Sequence, residues 1–174
     1  MTDTLHSKAC KIKMLLLDVD GVLTDGTFVP GDGSESKCFH SRDGIGIVLA
    51  REAGLKLGLI SGRKSSLVEA RARELRMNFV RLGVGNKLEA LDEALEQESC
   101  TLEEVAYMGD DLPDLAILIR AGLSATVGDA PVDVRSRVDY VTRARGGYGA
   151  VRELVELILS SQGKLDALIR SYLG

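Results

Sequence analysis

Four short clusters in this 174-residue chain combine residue types that can move a phosphoryl group. They are Asp18-Val19-Asp20-Gly21, Ser61-Gly62-Arg63, Asn86-Lys87, and Gly109-Asp110-Asp111 with Asp114 just beyond. A carboxylate can attack phosphorus and carry the group as an acyl phosphate, which splits hydrolysis into two displacements. A neighbouring acid must protonate the leaving oxygen and then deprotonate water. Several carboxylates would repel a phosphate dianion, so a cation has to neutralise them. Clustered hard oxygens with no His or Cys fit Mg²⁺. Ser61 and Lys87 suit binding of phosphoryl oxygens, since such catalysis is mostly positioning and charge stabilisation. Taken singly, an Asp at a strand end is ordinarily a turn or helix cap. Arg73 and Arg76 read as the solvated face of a helix. The joint occurrence points to a site.

Each cluster follows a short apolar run that can serve as a strand buried on both faces: 12–17, 56–60, 78–82 and 105–108. A fifth run lies at 124–127 and a weaker sixth at 138–141. Helical patterns are expected over about 44–53, 64–76, 86–98, 112–121 and 149–171, the last amphipathic and covering the sheet. Thr101-Leu102-Glu103-Glu104 has the form of a capping box. This alternation predicts an α/β fold with a doubly wound parallel sheet and right-handed crossovers. Ligands of such sheets collect beyond the carboxyl ends of the strands, which is where all four clusters fall. One segment breaks the rhythm. Residues 27–39, centred on Pro30-Gly31-Asp32-Gly33-Ser34, read as a β-hairpin inserted after the first strand. With no repeat, low-complexity tract or linker, residues 1–174 read as a single domain.

Composition narrows the class. Lys+Arg is 22 against 26 Asp+Glu, a net charge of −4, which argues against a binder of nucleic-acid backbones. Four Tyr, three Phe and no Trp argue against a base-stacking platform. No apolar run approaches the roughly 20 residues needed to cross a membrane. The start, Met1-Thr2-Asp3-Thr4-Leu5-His6, lacks the basic and apolar regions of a signal peptide, so a cytoplasmic protein is expected. Cys10, Cys38 and Cys100 are too widely spaced for a zinc site or disulfide framework and read as three small buried or half-buried thiols.

The ensemble resembles the four motifs of the haloacid dehalogenase (HAD) phosphatase superfamily. Asp18-x-Asp20-Gly21-Val22-Leu23-Thr24 resembles the first motif, Ser61 the second, Lys87 the third and Gly109-Asp110-Asp111-x-x-Asp114 the fourth. More narrowly, the chain resembles the 3-deoxy-D-manno-octulosonate (KDO) 8-phosphate phosphatase group over roughly residues 12–165. Arg42-Asp43-Gly44, Ile60-Ser61-Gly62-Arg63-Lys64, Tyr107-x-Gly109-Asp110-Asp111, Asp139-Tyr140-Val141-Thr142 and Gly146-Gly147-x-Gly149-Ala150-Val151-Arg152-Glu153 carry that likeness.

The resemblance implies Asp18 as nucleophile and Asp20 as general acid/base. It implies Mg²⁺ on the Asp18 carboxylate, the Asp20 main-chain carbonyl and Asp110, with Asp111 and Asp114 supporting the site or touching substrate. Sugar-acid contacts would fall on His40, Ser41, Arg42, Asp43, Gly44, Arg63 and Arg71. The group carries only a short hairpin in place of a large cap domain, matching residues 27–39, and assembles as a homotetramer. His40, Ser41 and Tyr148 leave open a related acid such as 2-keto-3-deoxynononate (KDN) 9-phosphate. A receiver-type phospho-signalling module also uses a doubly wound sheet, but its acceptor Asp would follow the third strand. Leu82-Gly83-Val84-Gly85-Asn86-Lys87 contains none.

Overall fold

In the computed structural model, which describes residues 2–28 and 36–173, the apolar runs form strands. They are β1 (Met14–Leu17), β2 (Lys56–Ser61), β3 (Phe79–Leu82), β4 (Val105–Met108), β5 (Leu123–Thr126) and β6 (Tyr140–Val141). All pair in parallel in the order β3-β2-β1-β4-β5-β6. Every residue of β1, β4 and β5 is buried, as strands covered by helices on both faces require.

The helices are α1 (Thr2–Cys10), α2 (Ser41–Glu52), α3 (Ser66–Glu74), α4 (Lys87–Glu98), α5 (Leu115–Leu118), α6 (Val132–Arg135), α7 (Ala150–Ser161) and α8 (Leu165–Ser171). Right-handed crossovers put α2 and α3 on one face, α4 and α5 on the other. The packing agrees: α2 and α1 both lie against α7, and α4 lies against α5. α7 buries Ala150, Val151, Leu154, Val155, Ile158 and Leu159, one stripe at helical spacing.

The expected elements need correction or completion at several points. The helix expected over 149–171 is two helices. Gly163 takes φ +67, Gly163 N–H returns to Ser160 O and Lys164 N–H to Leu159 O, which closes α7 and starts α8 in a new direction. The helix expected over 112–121 is a 3-10 turn, Leu112–Asp114, followed by the single turn of α5. Asp111 and Asp114 cap that turn reciprocally, and the same Asp114 carboxylate reaches back into the sheet edge. α1 adds a helix that periodicity does not announce, because its apolar positions are few; Cys10 at its end is exposed, as is Cys38, and of the three thiols expected to be buried or half-buried Cys100 alone is half-buried. The hairpin expected over 27–39 has its centre, 29–35, outside the described residues; its described flanks, 27–28 and 36–39, carry no regular secondary structure.

Candidate active site

β1 lies between β2 and β4, and the strand order reverses direction between β1 and β4. The loops leaving that point diverge and open a crevice at the carboxyl ends. Asp18 follows β1 directly, its N–H donating to Met108 O at 2.9 Å, so the carboxylate hangs over the end of β4. The chain then coils on itself, with Leu23 N–H and Thr24 N–H both donating to Val19 O at 2.9 and 3.1 Å. Gly21 turns this loop at φ +90. A second chain segment closes on it: Gly147 N–H donates to Val22 O at 2.8 Å, and a Cβ on Gly146 would lie 1.8 Å from Gly21 O. The paired glycines are required by close approach of backbone to backbone.

Asp114 is the hub of the crevice. Its Oδ1 accepts from Lys87 Nζ at 2.6 Å and from the Tyr107 hydroxyl. Its Oδ2 accepts from the backbone N–H groups of Asp110 and Asp111 at 3.2 and 3.3 Å. Lys87, the first residue of α4, bridges this carboxylate to Asp18, whose Oδ1 also lies 2.6 Å away. Asn86 caps α4 by accepting from Leu88 N–H, which fixes where the lysine leaves the helix. Thr126 on β5 donates to Gly109 O at 2.7 Å and pins the loop carrying Asp110. Ser61 ends β2, buried, and accepts from Arg63 N–H at 3.2 Å.

Asp18, Asp20, Ser61, Arg63, Lys87, Asp110, Asp111 and Asp114 line one cavity of about 220 Å³. His40 lines another of about 130 Å³ with Asp25, Cys38, Phe39, Gly147 and Tyr148. The remaining expected contacts line neither. Ser41 and Arg42 lie exposed on the first turn of α2, which His40 caps by accepting from Arg42 N–H at 3.2 Å. Asp43 is buried, and both its oxygens are taken: Gly149 N–H and Arg152 N–H donate to it at 3.0 and 2.9 Å. It caps α7 from a distance of more than a hundred residues. Arg71 pairs with Glu74 at 2.8 Å and lies over the Phe39 ring at 5.7 Å, and a Cβ on Gly44 would be 2.5 Å from its Nη2.

Two residues join the site without a sequence signal pointing to their role. Tyr107 sits in an otherwise aliphatic strand, and its buried hydroxyl demands the partner it finds in Asp114. Lys37 reaches Asp20 with its side chain only 2% exposed.

Charge is unbalanced here. Carboxylate oxygens of Asp18, Asp110 and Asp114 come within 4.8 Å of one another. Burial and the neighbouring Asp114 push the Asp18 carboxyl up, against the pull of Lys87. Burial, with Asp18, Asp114 and Asp111 nearby, pushes Asp110 up to about 7. Burial alone would lower Lys87, but Asp18 and Asp114 outweigh it and hold the ammonium above its usual value. One ammonium cannot neutralise three carboxylates. Hard oxygens at this density fit a small divalent cation. Asp114 already accepts four hydrogen bonds, which leaves Asp18 and Asp110 as the carboxylates free to hold one.

Comparison with known proteins places this geometry. Residues 79–153 match the family described as haloacid dehalogenase-like hydrolase. The chain is 47% identical over 161 residues to the 3-deoxy-D-manno-octulosonate 8-phosphate phosphatase KdsC of Escherichia coli K12, covering 92% of this chain and 86% of that protein. The structure of the phosphatase of that name from Yersinia pestis superposes with a TM-score of 0.92 at 41% identity, over 94% of this chain and 89% of the other. That from Moraxella catarrhalis, in complex with magnesium, phosphate and KDO, superposes with a TM-score of 0.96 at 38% identity, over 99% of each chain.

Proposed function

Since this chain belongs to the haloacid dehalogenase-like hydrolase family of the KdsC phosphatases, we propose that it hydrolyses KDO 8-phosphate to KDO and inorganic phosphate. The observation that carries this reading is the Asp18–Lys87–Asp114 bridge beside Asp20, Ser61 and Asp110 in one crevice. Asp18 attacks phosphorus, the bond from phosphorus to the sugar oxygen breaks, and an aspartyl phosphate forms. Asp20 gives its proton to the departing oxygen. It then takes a proton from water as that water attacks the acyl phosphate, releasing phosphate and restoring Asp18. Lys87 and Ser61 hold the phosphoryl oxygens, and Asp114 with Tyr107 holds Lys87. Asp18, Asp110 and the Asp20 carbonyl hold Mg²⁺, which when bound supplies the positive charge that lets carboxylates and a phosphate dianion share the crevice.

The substrate is a sugar acid in this reading. Arg63 lines the crevice, and Arg71, outside it, carries a buried Nε with no hydrogen-bond partner among the described residues, a donor that an anionic group can satisfy. The free thiols of Cys10, Cys38 and Cys100 fit a reducing cytoplasm. Among the described residues no helix is long and apolar enough to cross a membrane. A homotetramer completes the reading. Phe28 beside Arg63 and Tyr148 beside His40 are large aromatics 58% and 50% exposed at the rims of the two cavities, and a neighbouring subunit would cover them. Phosphate release from a panel of sugar phosphates tests the substrate: KDO 8-phosphate should lead, and preference for KDN 9-phosphate or an unrelated sugar would overturn it. Light scattering that finds a fully active monomer would remove the tetramer.

A further inference from the structure

A buried ammonium is costly unless it is paired, and the side chain of Lys37 is buried beside Asp20, where the proton transfers of this reaction take place. Its side chain is 2% exposed and its ammonium donates to Asp20 Oδ1. The other cation near Asp20 is a weaker partner. Arg63 Nε lies 3.8 Å from Oδ2, its side chain is 53% exposed, and its guanidinium stacks over Phe28 at 4.7 Å. Solvent therefore screens the arginine far more than the lysine.

The two carboxylates of the first cluster are thus held by different lysines. Lys87, from the start of α4, holds Asp18 Oδ1, and Lys37, from the segment before α2, holds Asp20 Oδ1. An acid/base group must present one oxygen to the leaving group and then to water, in the same place both times. Anchoring Oδ1 on a buried ammonium leaves Oδ2 for that exchange and removes the rotamer freedom that would carry it away. Resting on the acid/base reading of Asp20, we propose that Lys37 is a positioning residue for proton transfer to the leaving group.

This role has a signature that a general contact lacks. kcat/KM reports the steps through formation of the aspartyl phosphate, including departure of the leaving group. A sugar alkoxide needs a proton to leave, whereas p-nitrophenolate leaves without one. A residue acting through Asp20 therefore matters for the sugar phosphate and not for p-nitrophenyl phosphate. A residue that binds the phosphoryl group matters equally for both.

The experiment measures kcat/KM of Lys37→Met, Lys37→Arg and Asp20→Asn on KDO 8-phosphate and p-nitrophenyl phosphate, and takes the ratio of the two for each protein. The ratio is independent of what fraction of a preparation is folded. Lys37→Met should lower it by about 10- to 100-fold, the usual range for an outer residue that orients a catalytic one. Lys37→Arg should recover much of the loss, and Asp20→Asn should lose at least as much. A ratio lost in Asp20→Asn but kept in Lys37→Met overturns the inference alone. A ratio kept in Asp20→Asn overturns the assignment of Asp20 and the inference with it.

Discussion

A Cβ on Gly21 would lie 2.0 Å from Oδ2 of Asp110. The glycine of the first cluster is therefore the floor on which the carboxylate of the fourth cluster rests, although the two are far apart in sequence. Gly21 also holds φ +90, a region L-residues avoid. Gly21→Ala must both strain the backbone and push Asp110 from the crevice. The expected cost is about 2–4 kcal/mol, a fall in Tm of roughly 4–16 °C for a chain of this size. Activity should be lost even at temperatures where the variant is folded. Wild-type turnover in the folded variant would show that Asp110 can move without consequence.

Much of this is legible in the sequence, for a physical reason. In a parallel sheet the strands are continuous apolar runs and the ligands meet at their carboxyl ends. The pattern of apolar runs alone therefore assigns Asp18, Ser61, Lys87 and Asp110 to one edge. Roles set by distant contacts are not legible. Asp43 stands beside Arg42 in sequence, yet its partners are the N–H groups of Gly149 and Arg152. Lys37 is one lysine among many until its burial against Asp20 is known. The break at Gly163 and the tight turn at Leu112–Asp114 depend on hydrogen bonds that periodicity does not register.

Lys87→Met should lower kcat by about 10²- to 10³-fold, the usual loss for one preorganised donor at a developing charge. Lys87→Arg should not restore it. The ammonium sits 2.6 Å from two carboxylate oxygens on different elements, and a planar guanidinium cannot take that place without moving one of them. Steady-state rates on the sugar phosphate check this, and an arginine variant within tenfold of the parent would refute the geometric argument.

Asp43 separates two interpretations of the same residue. If its carboxylate serves α7, Asp43→Ala removes two hydrogen bonds from half-buried N–H groups and should cost about 1–3 kcal/mol. Asp43→Asn keeps one acceptor and should cost less. Thermal melting should register both in that order. If instead Asp43 touches substrate, KM should rise while Tm stays unchanged.

The last expectation links metal, protons and stability. In the metal-free protein Asp18 and Asp110 have carboxyls raised from the value of 3.8, Asp110 to about 7. Between pH 4 and pH 7 the folded state then binds more protons than the unfolded one. The unfolded state binds fewer protons there, so the stability that these two groups contribute is fully present below about pH 4 and is lost as pH rises through about 7. Lys87 is raised at the basic end and does not act in this window. Mg²⁺ must displace those protons to reach the carboxylates, so its affinity has to rise as theirs for protons falls. For one group titrating at about 7, the apparent Kd for Mg²⁺ should tighten about 100-fold from pH 5 to pH 8. Chelated protein should melt at a higher temperature at pH 5 than at pH 8, and saturating Mg²⁺ should raise Tm far more at pH 8. Calorimetric titration and melting curves at the two pH values test both parts. A Mg²⁺ affinity independent of pH across this range would mean that the crevice carboxylates are already ionised in the metal-free protein, and that the charge imbalance described for Asp18, Asp110 and Asp114 is neutralised by other means.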